Sequence, residues 1–233
     1  MEAVNSRLTI TDYQIHKGPS LGVIAFITIL IFILNVLAYN VLTDWTSYPT
    51  PTKPAEIAQV YFQKFPGVLH ISSFLQLGAA ITIGIFTATI TSLLRFLGVS
   101  AAGANIALFG GIAGAAFLAI SAVLTWVQPQ PGISDDIHTM RMVQLAGFAS
   151  GGIVHVALLG LLLAGISIPC LLIGLMPKWL CWLGLITAGV SELASLGFLF
   201  SEAFILLPVA RFASLLWLVG AGFKITKIKT ATG

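Results

Sequence analysis

The sequence predicts an all-α bundle of six membrane-spanning helices, and three observations lead to this prediction. Six apolar stretches are each long enough to cross a bilayer as a helix, which takes roughly 20 residues. Only 8% of the 233 residues are charged and 58% are apolar, whereas a soluble domain carries about a quarter charged residues. The mean hydropathy is +1.01. Residues 1–233 are therefore predicted to form a single transmembrane domain.

The six predicted spans follow one another along the chain with mostly short connections. They cover residues 21–41, 68–94, 106–127, 142–175, 180–200 and 205–223. The fourth is too long for one straight crossing, so it either projects past the bilayer at its start or bends near Gly151-Gly152 and Pro169. The longest polar connection, Thr43–Pro66, contains an amphipathic run, Glu56–Phe65, which is predicted to lie at the interface as a short helix.

Basic residues predict the orientation, because cytoplasmic connections carry an excess of Lys and Arg. With the N-terminus inside, seven basic residues lie on the inner side and three on the outer side. The inner set is Arg7, Lys17, Arg95, Lys178, Lys224, Lys227 and Lys229, and the outer set is Lys53, Lys64 and Arg141. Both termini are therefore predicted to be cytoplasmic. This bias also supplies most of the net charge of +3, which gives no indication of nucleic-acid binding.

The second and fourth spans share a pattern at an offset of 85 residues. Gly67–Ile71 matches Gly152–Val156, and each segment has a histidine at its fourth position. The match predicts an internal repeat of two-helix hairpins, with chance similarity between two apolar helices as the alternative. Membrane proteins built from repeats often place a binding site at the interface between them.

Five polar side chains within the spans are candidate ligand-binding residues, because such groups are costly in hydrocarbon and are commonly functional there. They are His70, Gln76, His155, Glu192 and Arg211. The repeat predicts that His70 and His155 converge at similar depth on neighbouring helices. Two such imidazoles could bind a haem iron axially, contribute to a metal site or relay protons, or each could simply bond a neighbouring polar group. Gln76 is expected to form a hydrogen bond between helices.

Glu192 and Arg211 are predicted to lie at middle depth on the adjacent fifth and sixth spans. An ion pair would allow both to stay charged in hydrocarbon. This pair could be a structural lock of the hairpin, or Arg211 could bind an anionic or carbonyl group of a ligand. Pro208, one turn before Arg211, frees a backbone carbonyl and could widen such a site.

Two weaker patterns predict structure rather than chemistry. The small-residue pairs Gly110–Gly114 and Gly147–Gly151 predict closely packed helix faces, which could also support a homo-oligomer. The polar run that begins at Ser134 predicts a solvated helix start, with Ser134 or Asp135 as its N-cap.

Familiar catalytic motifs are missing from the sequence. It contains no CxxC, HExxH, GxSxG or phosphate-binding loop, and no nucleophile–base pair is visible. Enzymatic activity is therefore not indicated, although a hydrolase or transferase is not excluded. The sequence predicts no cofactor, with haem b as the alternative.

Several segments carry a resemblance to a known family. The run Leu75–Gly98, the segment Gly151–Pro169, and the ending Leu206–Phe212 followed by Trp217–Gly222 resemble a bacterial family of six-span membrane proteins catalogued only as a domain of unknown function. The resemblance implies a bacterial inner-membrane protein, but no activity and no catalytic residue. A looser likeness to six-span b-type cytochromes rests on the histidines in spans two and four. Spans three and five have none, which excludes the second haem of that pattern.

Three functions therefore remain open at the level of sequence. The first is a protein that binds or transports a small ligand at an intramembrane polar site. The second is a single-haem membrane redox protein that uses His70 and His155. The third is a structural or accessory protein whose buried polar groups only fix the register of the helices.

Overall fold

The computed structural model of the chain describes residues 18–99 and 102–225, and all regular structure in these ranges is helical. The predicted cytoplasmic positions Arg7, Lys17, Lys227 and Lys229 lie outside the described residues. The α-helices are α1 (Leu21–Leu42), α2 (Ala55–Lys64), α3 (Pro66–Phe96), α4 (Ala102–Val127), α5 (Ile137–Phe148), α6 (His155–Ile173), α7 (Lys178–Leu193) and α8 (Leu206–Ile225). A π-helix, Ala149–Val154, joins α5 to α6, and two 3-10 helices, Ala194–Phe198 and Ser201–Ile205, lie between α7 and α8.

Six helical segments of the described chain are long and apolar enough to cross a membrane, which confirms the predicted fold class. They are Leu21–Leu42, Pro66–Phe96, Ala102–Val127, Ile137–Ile173, Lys178–Phe198 and Ser201–Ile225. Each overlaps its predicted span almost completely. The amphipathic run after the proline-rich connection is also helical, as α2.

The fourth span, Ile137–Ile173, is the longest helical segment described. At 1.5 Å per residue it measures about 55 Å, well beyond the roughly 30 Å of a hydrocarbon layer. A straight crossing would therefore leave part of this span outside the hydrocarbon layer, which is one of the two predicted alternatives. The irregularity expected at Gly151-Gly152 is the π-helix, whereas Pro169 is accommodated inside α6 without ending it.

The six spans close into a ring. α1 packs against α3 and α8, α3 against α4, α4 against the fourth span, α6 against α7, and α7 against α8. Buried apolar residues from all six spans form one continuous core. α2 lies against α5 and α3 at one end of the bundle. We call this end the α2 side, and the opposite end, where α1 begins and α8 ends, the terminal side.

Glycines determine how closely the helices approach one another. A Cβ atom at Gly110 of α4 would lie 2.7 Å from the carbonyl oxygen of Leu158 on the fourth span. On the terminal side, a Cβ at Gly222 of α8 would lie 2.8 Å from the backbone nitrogen of Gly22 on α1. Backbones pack this tightly only where side chains are absent.

The predicted small-residue pairs face helices of the same chain. Gly110 and Gly114 lie against the fourth span, and Gly147 and Gly151 lie against α4. The prediction of close-packing faces is therefore confirmed. Because these faces are occupied within the protomer, they offer no surface for the homo-oligomer that the sequence suggested.

Polar bonds tie the connection after α1 to the start of the fourth span. The Gln144 side chain donates to the carbonyl oxygen of Pro49 at 2.9 Å, and Arg141 donates to that of Pro51. Tyr48 lies in the same connection, where burial raises the pKa of its phenol well above the ordinary value of 10.0. Tyr48 therefore stays a neutral hydrogen-bonding group.

The N-cap of α5 is Asp136, so the prediction of Ser134 or Asp135 was wrong. The Asp136 carboxylate accepts from the backbone nitrogen of Thr139 at 2.9 Å and also from the Thr139 hydroxyl. These two bonds lower the pKa of the carboxyl below its ordinary value of 3.8. The position was missed because three residues with capping side chains are adjacent, and only the backbone shows which of them precedes the first turn.

Five aromatic side chains cover the α2 side of the bundle, and we call them the aromatic cap. They are Tyr39, Tyr48, Tyr61, Phe62 and Phe65. Neighbouring rings lie 5.1 to 6.0 Å apart between centroids, mostly edge to face. The connection after α1 is thereby packed onto the bundle as a lid of defined structure rather than a loose loop.

Candidate binding site

A cavity of about 440 Å³ lies inside the ring on the α2 side. Its walls come from α1, α3, α4, the fourth span and α8, and the connection after α1 covers its end. The volume lies within the 300–1,000 Å³ that is usual for small-molecule sites. Its polar lining residues are Asn35, Tyr39, Tyr48, Thr50, Gln76, Ser121, Thr125, Gln128 and Arg211.

Arg211 is the charged side chain of this lining. Its guanidinium group donates to the carbonyl oxygen of Gly151 and lies over the ring of Phe32, with 5.6 Å between the guanidinium carbon and the ring centre. Its Nε atom is buried and has no acceptor among the described residues. Of the described residues that line the cavity, none is an Asp or Glu. The positive charge is therefore surrounded by neutral groups.

The π-helix places the acceptor for Arg211. Gly151 lies against Ser121 of α4, so closely that a Cβ at this position would collide with the serine hydroxyl. That hydroxyl donates to the carbonyl oxygen of Gly147 at 3.0 Å. The wider turn and the missing side chain bring the backbone of the fourth span to the wall of the cavity, where its carbonyl meets Arg211. Short π-helical segments are frequent at functional sites.

His155 supports the cavity wall from behind and does not line it. Its imidazole is fully buried and lies stacked on Phe32, with 6.4 Å between the ring centroids and 19° between the planes. The Nδ1 atom lies 2.8 Å from the carbonyl oxygen of Gly114. Because a carbonyl only accepts, we assign the proton to Nδ1. Nε2 is buried without a partner among the described residues. His155 thus fixes the position of Phe32, which in turn contacts Arg211.

Asn35 adds a second unpaired polar atom to the lining. Its Oδ1 is buried and has no donor among the described residues. The neighbouring amides are already engaged: Gln76 Nε2 lies 3.1 Å from the Ser72 hydroxyl, and Gln128 Oε1 accepts from the Tyr48 hydroxyl at 3.5 Å. The cavity therefore presents a cationic donor at Arg211 and a free acceptor at Asn35. The Gln76 bond lies within α3, so the bond between helices that the sequence suggested is not formed.

The predicted ion pair between Glu192 and Arg211 is absent from the described structure. The Glu192 carboxylate is exposed and lies near Gly160 of α6, whereas Arg211 bonds to Gly151 of the same span. These two glycines are nine residues apart, about 13 Å along a helix. α7 and α8 are joined instead by Ser191 and Ser214, whose hydroxyls are 3.4 Å apart, and by Trp217, which donates to the carbonyl oxygen of Leu180.

The prediction that His70 and His155 meet at similar depth is also wrong. His70 is exposed on the α2 side, where its imidazole lies 3.3 Å from the amide nitrogen of Gln130 and beside Trp126. His155 bonds to Gly114, about 18 Å from Trp126 along α4. A haem iron held by both imidazoles needs them to face each other across the metal, which this arrangement does not provide. Among the described residues, no group of three or more metal-ligating side chains occurs.

Sequence reasoning missed most of the cavity. It found Arg211, Gln76 and Pro208 among the lining residues, and it found His155 behind them. It passed over Asn35, although an amide within a largely apolar first span, which has a second one at Asn40, is a signal of the same kind. Phe32 could not have been found in this way, because one phenylalanine among many apolar residues carries no signal.

The chain matches no family model, no curated protein and no solved structure.

Proposed function

We propose that the protein is a bacterial inner-membrane protein that binds a small anionic ligand in the cavity between α1, α3, α4, the fourth span and α8. The observation that carries the proposal is Arg211, a permanently charged group on a cavity wall with a carbonyl and an aromatic ring as its contacts. A charged group is costly within a membrane unless an opposite charge compensates it. A bound anion would supply that charge.

The remaining lining defines the rest of the ligand. The Nε–H of Arg211 would donate to an anionic oxygen, which is the pairing that guanidinium groups favour. The Oδ1 of Asn35 would accept from a hydroxyl or N–H group of the same molecule. Phe32, Phe148 and Phe212 supply apolar walls. The ligand class is therefore a carboxylate or phosphate with an apolar body and a hydrogen-bond donor.

The proposed orientation places the α2 side outside the cytoplasm. It follows from the excess of basic residues on the terminal side, of which the structure describes Arg95, Lys178 and Lys224. The bacterial inner membrane is the location that the sequence resemblance implied, and it is part of the proposal. The cavity lies on the α2 side and the bundle is closely packed on the terminal side, which favours binding over an open pathway through the protein.

Thermal unfolding of the purified protein in detergent tests the proposal. Benzoate, octanoate and inorganic phosphate would be added at constant ionic strength. A ligand at 100 times its Kd should stabilise the folded state by about 2.7 kcal/mol. We expect at least one anion to raise the melting temperature, and Arg211→Gln to abolish that rise.

Arg95→Gln is the matched control. Arg95 also donates to an amide oxygen, that of Asn105, but it lies near the end of α3 on the terminal side, away from the cavity. The anion should still stabilise this variant. A stabilisation that survives in Arg211→Gln, or that is lost equally in both variants, would show that the anion binds elsewhere. If none of the anions stabilised the protein, an accessory role without a ligand site would be favoured.

A further inference from the structure

The cavity has two kinds of opening, which the exposed members of its lining identify. Of the described lining residues, three are exposed to the surroundings: Thr50 in the connection after α1, Val36 on α1 and Pro208 on α8. Thr50 lies on the α2 side, beside the aromatic cap. Val36 and Pro208 lie within two helical segments that are long and apolar enough to cross a membrane. One opening therefore faces water, and the other faces the bilayer.

The lateral opening results from the way α1 and α8 diverge. On the terminal side their backbones are in contact, because Gly22 and Gly222 meet without side chains. Towards the α2 side both helices become walls of the cavity, α1 through Asn35 and Val36 and α8 through Pro208 and Arg211. The two spans thus form a wedge that is closed at one end and open at the other.

A ligand that enters through this wedge must be soluble in the membrane. Next to Val36 and Pro208 the walls include Phe212, and Arg211 lies one helical turn beyond Pro208 on α8. An amphiphile could therefore place its anionic head at Arg211 while its chain remains in the wedge or in the bilayer. A volume of about 440 Å³ lies in the lower part of the range for small-molecule sites, which suits one chain and not two.

We propose that the ligand is a single-chain anionic amphiphile, such as a fatty carboxylate with a hydroxyl group for Asn35, which enters from the bilayer between α1 and α8. This inference rests on the proposed anion site and adds the substrate class and the route to it. The occupant is neither a small water-soluble anion nor a two-chain phospholipid, and both alternatives are outcomes of the test.

Ligand class is tested by binding at equilibrium. The full-length protein would be reconstituted into phosphatidylcholine nanodiscs, and butyrate, decanoate and decanol would compete with 11-(dansylamino)undecanoate. Because each methylene adds strongly to membrane partitioning, decanoate should displace the probe at a total concentration at least ~10-fold below that of butyrate. Decanol, which lacks the charge, should not displace it. Arg211→Gln should weaken probe binding ~10-fold or more, as expected for the loss of a charge-assisted bond.

The route is tested by the rate of probe association. Val36→Trp should narrow the wedge and slow association by about fivefold or more. Val23→Trp is its matched control, since Val23 and Val36 are on the same helix and are 48% and 45% exposed, but Val23 lies on the closed terminal side. Thr50→Trp obstructs the other opening. Both of these variants should associate within about twofold of the wild-type rate.

The outcomes separate failure of this inference from failure of the anion site. Equal affinity for butyrate and decanoate, or slowing by Thr50→Trp in place of Val36→Trp, would identify a water-soluble anion that enters from the α2 side. Strong competition by added phosphatidylglycerol would identify a two-chain phospholipid. Both results would overturn the inference while leaving the site in place. Binding that does not depend on Arg211 would overturn the proposed function as well.

Discussion

The α1–α8 seam differs between its two ends. On the terminal side Gly22 and Gly222 allow the backbones to touch, and the core beside them is filled with apolar side chains. On the α2 side the same two helices carry Asn35 and Arg211 and enclose a cavity. Small residues draw helices together in a membrane, because packing rather than hydrophobic exclusion holds them there. On the α2 side, bulky and polar residues of the same two helices therefore hold the backbones apart. The space between them could be filled by a ligand.

The largest expected effect on stability comes from disrupting the contact between Gly22 and Gly222. Gly222→Ala places a methyl group against the backbone of α1, whereas Gly220→Ala on the same helix meets only the far end of Leu180, at 3.8 Å. Overpacking against backbone costs about 3 kcal/mol, and Gly→Ala in an open helical position changes stability by about 1 kcal/mol in the favourable direction. Thermal unfolding in detergent should therefore separate the two variants. Equal melting temperatures would mean that the helices can shift apart at no cost.

The next largest effect is expected in the connection after α1, which covers the cavity on the α2 side. Gln144→Leu removes the donor to Pro49, and an unsatisfied buried carbonyl costs about 2 kcal/mol. The amides of Thr50, Thr52 and Lys53 should then exchange with deuterium up to about 30-fold faster. Gln130→Leu makes the same change at a half-buried glutamine outside this connection and should leave these amides unchanged. Unchanged exchange in both variants would show that the aromatic cap alone holds the connection in place.

Arg211 itself should contribute little to stability, which sharpens the contrast with Gly222. Its charge lacks a carboxylate partner among the described residues, so Arg211→Met removes a desolvated charge together with one hydrogen bond. We expect a change of at most about 1 kcal/mol, towards higher stability, as is common for functional residues. In a double-mutant cycle with Glu192→Gln, the coupling energy should stay below about 0.5 kcal/mol. If Arg211→Met lowered the stability and Glu192→Gln reversed that loss, the result would show that the two residues do form an ion pair.

The smallest effect is a pH dependence at the start of the fourth span. Hydrogen bonds from Thr139 lower the pKa of Asp136 in the folded protein. A carboxyl group with a lowered pKa stabilises its helix end above its ordinary pKa of 3.8, and this contribution is lost as the pH falls through the lowered value. Protection of the Thr139 amide should therefore decrease with acidification below pH 3.8 in the wild type. Asp136→Asn keeps a capping acceptor without a titrating proton, so a decrease of equal size there would contradict the assignment.

The spans could be predicted from the sequence, because length and apolar content alone determine whether a helix can cross a bilayer. Arg211 could be recognised for the same reason, as a charge in an apolar run. Its partner could not, since the carbonyl of Gly151 belongs to a backbone feature that does not depend on any one side-chain type. Pairing Arg211 with Glu192 assumed that charges at similar depth meet. In the structure the two side chains contact positions of the fourth span, Gly160 and Gly151, that are separated by about 13 Å of helix.

The two histidines also show why a sequence pattern did not predict the contacts of its side chains. Their matching positions in the sequence suggested matching roles, yet His70 lies exposed beside Gln130 and His155 lies buried behind Phe32. α3 is a regular helix at this point, whereas the fourth span passes through a π-helix just before its histidine. The alignment of letters could not include that change in helical register, because a π-turn rotates every residue that follows it.

The contact between Gly22 and Gly222 also has a mechanical consequence. Asn35 lies thirteen residues beyond Gly22 on α1, which is a lever arm of about 20 Å. A tilt of α1 by about 3° around this contact would therefore move Asn35 by about 1 Å relative to α8. Since the two backbones touch at Gly222 and the ring of Phe223 packs over Gly22 beside it, the contact holds this end in place and is suited to act as a fulcrum. A small rotation of α1 at the closed end would therefore produce a larger change in the width of the wedge on the α2 side.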